Sequence, residues 1–194
     1  YAQPVVVQSW LDGNRLDNLP QDDNEWLKLI EHFLAIHSVT QDQITIPLKR
    51  AVIDSHSLES SFNLIHNHLR TIPYAERPPS LNELITQLEN TSFPHWRPVK
   101  PVLCRVDANT LNVIRMSDQW RSVDWENSGW GDPAFEVADI ITHPAYENVS
   151  LERWNWIIDQ YCQRSPDYAI AQRVQVYICF MLVWWVIRIT RYLY

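Results

Sequence analysis

The sequence predicts a mainly α-helical chain carrying one small β-hairpin, an α+β arrangement. Apolar residues recur at steps of three and four in several separate stretches, which is the spacing of one buried helix face. Two short strand-like runs flank a polar turn near residue 118. The chain also has only three glycines, too few and wrongly spaced for a G-x-G-x-x-G or Walker-type nucleotide fold motif. At 194 residues it fits one ordinary domain or two small lobes with a real core. A composition of 46% hydrophobic and 20% charged residues is globular.

Pro4 to Leu11 reads as a β-branched strand stopping at the turn signal Asp12-Gly13. A helix is expected from about Asp23, because Asp22 and Glu25 have capping-box spacing and Trp26, Ile30, Phe33, Leu34 and His37 share a face. A second runs from Ser57 to Ile72 on Leu58, Phe62, Ile65, Leu69 and Ile72, and Pro73 ends it. Ser80 and Glu83 predict a third, through Leu84, Ile85 and Leu88. The prolines of "SFPHWRPVKP" then favour an extended linker. Runs at Asn112–Met116 and Trp120–Asp124, joined by Ser117-Asp118-Gln119, read as the hairpin. From Ser150 the pattern is helical again, with Trp154, Ile157, Ile158 and Tyr161 on one face. Val176 to Ile187 is apolar throughout but shorter than the roughly 20 residues a bilayer span needs, so a core helix is expected there and no membrane partner. A strand at residue 4 requires hydrogen-bonding neighbours, and the chain does not visibly supply them, so they are expected from a preceding segment or another chain.

A formal charge of -7 argues against a nucleic-acid footprint and is compatible with a cationic small substrate. Cys104, Cys162 and Cys179 are odd in number and scattered, which argues against a disulfide framework and for a reducing, cytoplasmic compartment. No glycine spacing fits a phosphate-cradling loop. His66 and His68 lie two apart and cannot form a helical zinc pair.

One stretch carries chemistry. In "CRVDANTLNV" an apolar run stops at Arg105, Asp107 follows, and Asn112 stands five residues on; after the hairpin come Asp124-Trp125-Glu126 and "GWGDPAFEVAD". Asp and Asn favour loops, so a polar turn is one reading. The other is phosphoryl transfer, which needs one group to orient a hydroxyl and oxygen ligands for Mg²⁺; an Asp, an Asn and a second Asp across a hairpin supply that set. Trp125 and Trp130 fit either a cation–π wall for an amine or core packing, and Glu126 fits a substrate contact or an ion pair.

The stretches "RVDANTLN", "VDWE" and "GDPAFEVA" resemble the aminoglycoside phosphotransferase and choline kinase-like family, which shares the protein-kinase-like fold. "PVVVQSWLDG" is similar to the family's last small-lobe strand and hinge, and "FLAIHS" to a helix end ahead of the catalytic loop. The resemblance implies the hinge and C-terminal lobe of that fold, with the N-terminal β-lobe largely absent. Residues 1–13 would be the last strand and hinge, and 14–194 the helical lobe, with a catalytic loop at 104–112 and a metal-binding segment at 120–139. It implies an ATP- and Mg²⁺-dependent small-molecule kinase, for an aminoglycoside, choline, a sugar or another metabolite, or a non-catalytic relative that only binds. Asp107 would be the catalytic aspartate with Arg105 beside it, Asn112 and Asp124 the magnesium ligands, and Ser9 and Leu11 the adenine-binding backbone. Arg105-Val106 stands where the family has His-Gly, and Glu136 where it has Asp. Without the small lobe's lysine and glutamate, the chain by itself is expected to bind ATP poorly.

Overall fold

Residues 9–117 and 119–193 are described by the computed structural model. The helices form where periodicity and caps coincide. In α1 (Asp23–His37), Asp22 accepts from the Glu25 amide at 2.9 Å, while the Glu25 carboxylate reaches back to the Gln21 amide rather than to Asp22. α2 (Leu58–Leu69) is capped by Ser57 and ends before the expected Ile72. Its stop has a physical cause: Arg77 donates to the carbonyls of Leu69 and Ile72, satisfying groups that a further turn would have used. α3 (Pro79–Asn90) corrects the expected start at Ser80. Pro79 occupies the first helical turn, where its missing N–H is harmless, and no side chain caps the end. Residues 92–101 are irregular, as the prolines require.

The strands are short. The one expected at Pro4 to Leu11 lies largely outside the described residues, and residues 9–11 are not strand. The first described strand follows the turn instead, at β1 (Asn14–Arg15). At that turn a Cβ on Gly13 would meet the Arg115 carbonyl oxygen at 2.5 Å, so only glycine lets the chain pass so close. The expected hairpin is present as β3 (Val113–Arg115) and β4 (Arg121–Ser122), with Val113 opposite Ser122 and Ile114 opposite Arg121; Asp118 of its turn is outside the described residues. β1 pairs with the outer edge of β3, giving the order β1-β3-β4. A second antiparallel pair, β2 (Val102–Cys104) with β5 (Gly129–Gly131), precedes and follows the two loops of interest. The backbone of residues 49–51 runs against β5, with Trp130 N donating to Lys49 O at 3.0 Å, and a Cβ on Gly129 would fall 2.4 Å from Ala51 N.

Three further helices complete the lobe: α4 (Pro133–Thr142), α5 (Leu151–Arg164) and α6 (Ile170–Leu193). α6 packs along α4, α2 and α3, and α1 packs on α5. Aromatic edges lock these faces, as in Phe62 on Phe180 at 4.9 Å and Phe135 on Tyr177 at 5.3 Å. α6 is core on one side only: Phe180, Met181, Trp184 and Ile187 are buried, whereas Leu182, Val186 and Ile189 are exposed. It is one helix long and apolar enough to cross a membrane by length and composition, with 56% of that window buried within the lobe.

A buried ion pair fixes the start of α4. Asp132 caps that helix by accepting from the Ala134 amide, and takes two bonds of 2.9 Å from Arg173 of α6. Tyr177 donates to the same carboxylate and Asp167 takes the remaining Arg173 bond at 2.6 Å. Removing one partner of such a pair leaves the other charged, buried and unpaired, a cost of about 3–5 kcal/mol. Arg173→Met is therefore expected to lower unfolding stability by about that amount in urea titrations. Asp159→Asn on the exposed side of α5 serves as a near-neutral control.

Candidate active site

The loop after β2 turns on a residue forced into an unfavourable conformation. Val106 has φ of 53°, a left-handed value that a β-branched side chain tolerates poorly. The carboxylate of Glu136, one turn into α4 and 2% exposed, holds it there. Oε1 accepts from the amides of Arg105 at 3.0 Å and Val106 at 2.9 Å, while Oε2 accepts from Arg105 at 3.1 Å and meets His37 Nε2 at 2.7 Å. His37 Nδ1 in turn meets the Tyr161 hydroxyl at 2.6 Å. Burial raises the Glu136 pKa, but the hydrogen bond and field of His37, the Val106 amide and the charge of Arg105 outweigh it, and the group lies below its ordinary value. The helix-end histidine of "FLAIHS" is thus an anchor for the loop. The ligand atoms of His37, Cys104 and Glu136 lie within 4.8 Å of one another, yet the Glu136 oxygens already serve two amides and an imidazole, so the cluster is a hydrogen-bonded tie.

Held in this way, the loop presents Asp107. Its Oδ1 accepts from the Asn109 amide at 3.0 Å and its Oδ2 from Asn112 Nδ2 at 2.7 Å. Asn112 therefore spends its amide nitrogen on Asp107, and its Oδ1 has no partner among the described residues. The Asn112 carbonyl accepts from Val123 N at 2.9 Å, which draws the end of β4 onto the loop. Asp124 comes next, exposed, with φ of 61° and no partner among the described residues. The turn beyond it is closed by Trp125 Nε1 to Ser122 O at 2.9 Å and by Ser128 N to Trp125 O at 3.1 Å. An unengaged carboxylate beside an unengaged amide oxygen fits a hard cation such as Mg²⁺.

Arg105 does not face solvent. Its side chain is fully buried and Nη1 donates to the Val123 carbonyl at 3.4 Å, beneath Asp124. Nε and Nη2 have no partner among the described residues. It therefore links the two loops from inside the lobe. His32 of α1, which sequence reasoning passed over, supports β4 from behind with a 2.6 Å bond to Ser122. Burial above all, then the charge of Arg105, pushes its pKa down to about 4, so the ring is neutral at pH 7.

Ser9 and Leu11 border a cleft of about 540 Å³ that also touches Trp10, Gly13, Ile114 and Val123. The cleft thus adjoins the residues flanking Asn112 and Asp124. No backbone hydrogen bond of Ser9 or Leu11 is made among the described residues. Trp130 is buried in β5 and packs as core, whereas Trp125, its Nε1 bonded to Ser122, keeps an exposed indole that borders a cleft with His32, Trp120 and Ser122. Glu126 is exposed and makes no contact among the described residues.

A second carboxyl stands behind Asp107. Asp139, buried on α4, has no hydrogen-bond partner among the described residues. Burial above all, then the charges of Glu136 and Asp107, pushes its pKa up to about 7. Periodicity gave no sign of it, because "EVAD" reads as part of the motif around Asp132.

The helical scaffold, short hairpin and paired loops define the large lobe of a protein-kinase-like fold. The chain belongs to the phosphotransferase enzyme family, whose model matches residues 1–171. Protein LicA of Haemophilus influenzae is 27% identical over 110 residues, which is 55% of this chain and 38% of LicA. A choline/ethanolamine kinase family protein from Mesorhizobium loti matches with a TM-score of 0.55 at 16% identity, covering 86% of this chain and 53% of that one. A thermostable aminoglycoside phosphotransferase mutant in a ternary complex with ADP and hygromycin B matches with a TM-score of 0.56 at 17% identity, covering 91% of this chain and 61% of that one. The chain thus spans between about two-fifths and three-fifths of the length of these relatives.

Two outcomes test the anchors. Glu136→Gln keeps the volume but loses the negative charge, so it should cost about 2–3 kcal/mol. It should also speed hydrogen exchange at the Arg105 and Val106 amides before exchange rises elsewhere. Asp139 has the opposite sign. Its folded-state pKa is raised, so a stability penalty builds as pH climbs from the ordinary value of 3.8 to about 7 and is full above that. Asp139→Asn should therefore stabilise the lobe by up to about 4 kcal/mol at about pH 8 and by little at about pH 4. Urea titrations at the two pH values read the difference.

Proposed function

We propose that the chain is the large lobe of an ATP-dependent small-molecule kinase that transfers the γ-phosphoryl group to a substrate hydroxyl. The observation carrying this reading is the Asp107 carboxylate, fixed at both oxygens by Asn109 and Asn112, with unpartnered Asp124 brought beside it by the Val123–Asn112 bond. Family membership and the ADP and hygromycin B of the aminoglycoside phosphotransferase relative support a nucleotide and a small hydroxylated acceptor. The three unpaired thiols support a reducing, cytoplasmic setting.

In the reaction, the acceptor oxygen forms a bond to the γ-phosphorus as the bond to the β–γ bridging oxygen breaks. The nucleoside diphosphate leaves with that electron pair, and the hydroxyl proton passes to Asp107. Its two hydrogen bonds fix the direction in which the carboxylate accepts, so orientation rather than basicity is its main contribution. Asn112 Oδ1 and Asp124 would hold Mg²⁺, which when bound neutralises phosphate charge. Arg105 is a positioning residue, fixing the Val123 carbonyl below Asp124. The adenine edge would meet the free backbone of Ser9 and Leu11.

Arginine in the place of the family's histidine favours a second reading, a protein that binds nucleotide without turnover. Measurements on the protein separate the two. Asp107→Asn should reduce phosphoryl transfer by about 10²-fold or more with nucleotide affinity nearly unchanged. Asp124→Ala should weaken nucleotide binding only when magnesium is present, and an unchanged affinity would sink the metal assignment. Wild type that binds Mg-ATP yet transfers phosphate to none of a broad set of hydroxyl compounds would establish the second reading.

A further inference from the structure

We propose that Arg188 is the specificity-determining residue on the acceptor side, binding an anionic group, carboxylate or phosphate, of the hydroxyl substrate. The inference rests on the kinase reading above and gives its acceptor a chemical class. Arg188 lies in the C-terminal half of α6, and its guanidinium carbon sits 5.0 Å from the Trp184 ring centre and 5.4 Å from that of Trp185, a cation–π contact with both indoles. It is exposed and has no hydrogen bond or ion pair among the described residues. In a chain with 23 acidic and 16 basic residues, an arginine held in place yet left without a carboxylate is a notable choice. The two indoles hold the guanidinium between them and its N–H groups have no partner among the described residues, which suits a carboxylate or phosphate. Because the side chain is already ordered, little conformational entropy is lost when the anion arrives.

Contacts lead from this group to α4, the helix whose Glu136 holds the loop that carries Asp107. The Trp185 ring packs edge-on against His143 at 5.3 Å, and His143 caps the C-terminus of α4. His143 and Asp139, one turn apart on α4, each feel both the negative charge of Asp107 and the positive charge of Arg188. Both charges thus act on the C-terminal end of α4. Arg191, a turn further along α6, adds positive charge, and both arginines act on His68, which packs on Trp184 at 5.6 Å. Burial first, then these arginines, lowers the pKa of His68; for His143 burial, with Arg188 and Arg105, outweighs the opposing Asp107. The patch therefore owes its charge to Arg188 and Arg191, and Asp139 offsets it only partly near neutral pH. An ammonium-bearing acceptor would find the indole faces already covered by a cation that repels it.

The test compares kcat/KM for four acceptors that differ at one end: glycerol, glycerate, glycerol 3-phosphate and 3-amino-1,2-propanediol. Wild type should favour at least one anion over glycerol by about tenfold or more, mainly through KM, with the ammonium compound poorest. Which anion wins distinguishes carboxylate from phosphate. Arg188→Gln should reduce that anion to the level of glycerol, Arg188→Lys should keep part of the preference, and Arg188→Glu should favour the ammonium compound. Unchanged selectivity in Arg188→Gln, or a wild-type preference for the ammonium compound, overturns the proposal. If neither these four nor the broad set of hydroxyl compounds releases ADP, the kinase reading has failed by itself. Calorimetric titration of glycerate and inorganic phosphate into wild type and Arg188→Gln then decides the anion site. Binding lost in the variant supports it, and no binding to wild type, or equal binding to both, overturns it.

Discussion

The lobe depends on one buried carboxylate. Glu136 binds two successive backbone amides and an imidazole, and through them sets the conformation of the loop that carries Asp107. A left-handed valine costs roughly 1–2 kcal/mol, and charge-assisted hydrogen bonds to its amide and its neighbour's are of sufficient size to offset it. Glutamate in place of the family's aspartate adds one methylene of reach, and both oxygens are in use. His37 and Tyr161 extend the tie to α1 and α5, so the loop is fixed to three helices at once.

α4 is the element that makes this possible. Residues Pro133 to Ile140 are buried, and the helix presents three acidic side chains inward with three different fates. Asp132 is neutralised by Arg173 and caps the helix, Glu136 holds the loop, and Asp139 is left without a partner behind Asp107. The first two satisfied groups make the third tolerable, because α6 and α1 are already locked against the helix. The same α6 that supplies Arg173 at one end carries Trp184, Trp185 and Arg188 at the other. A single helix thus fixes the scaffold and carries the proposed anion-binding arginine.

The strain is concentrated where chemistry is proposed. Val106 and Asp124 are the non-glycine residues with positive φ among the described residues, and they flank the Asp107–Asn112 loop in space. Arg105 runs between them from Glu136 to the Val123 carbonyl. A buried guanidinium there replaces a smaller ring, and its position explains why the substitution adds no charge to the surface beside Asp107.

The helices were legible in the sequence because the 3.6-residue repeat and the side-chain caps Asp22, Ser57 and Ser150 are local. The hairpin was legible because turn and alternation are local too. The order Asp107, Asn112, Asp124 gave the outline of the candidate site for the same reason, since each stands at a fixed place on a loop or strand end. What no local pattern carries is pairing across long separations: His37 with Glu136, Arg173 with Asp132, Ser122 with His32. The burial of Arg105, the unpartnered Asp139 and the stacking of Arg188 belong to this second kind. A side chain's charge is written in the sequence, but whether it is neutralised, strained or left free depends on which distant groups the packing brings within a hydrogen bond's length.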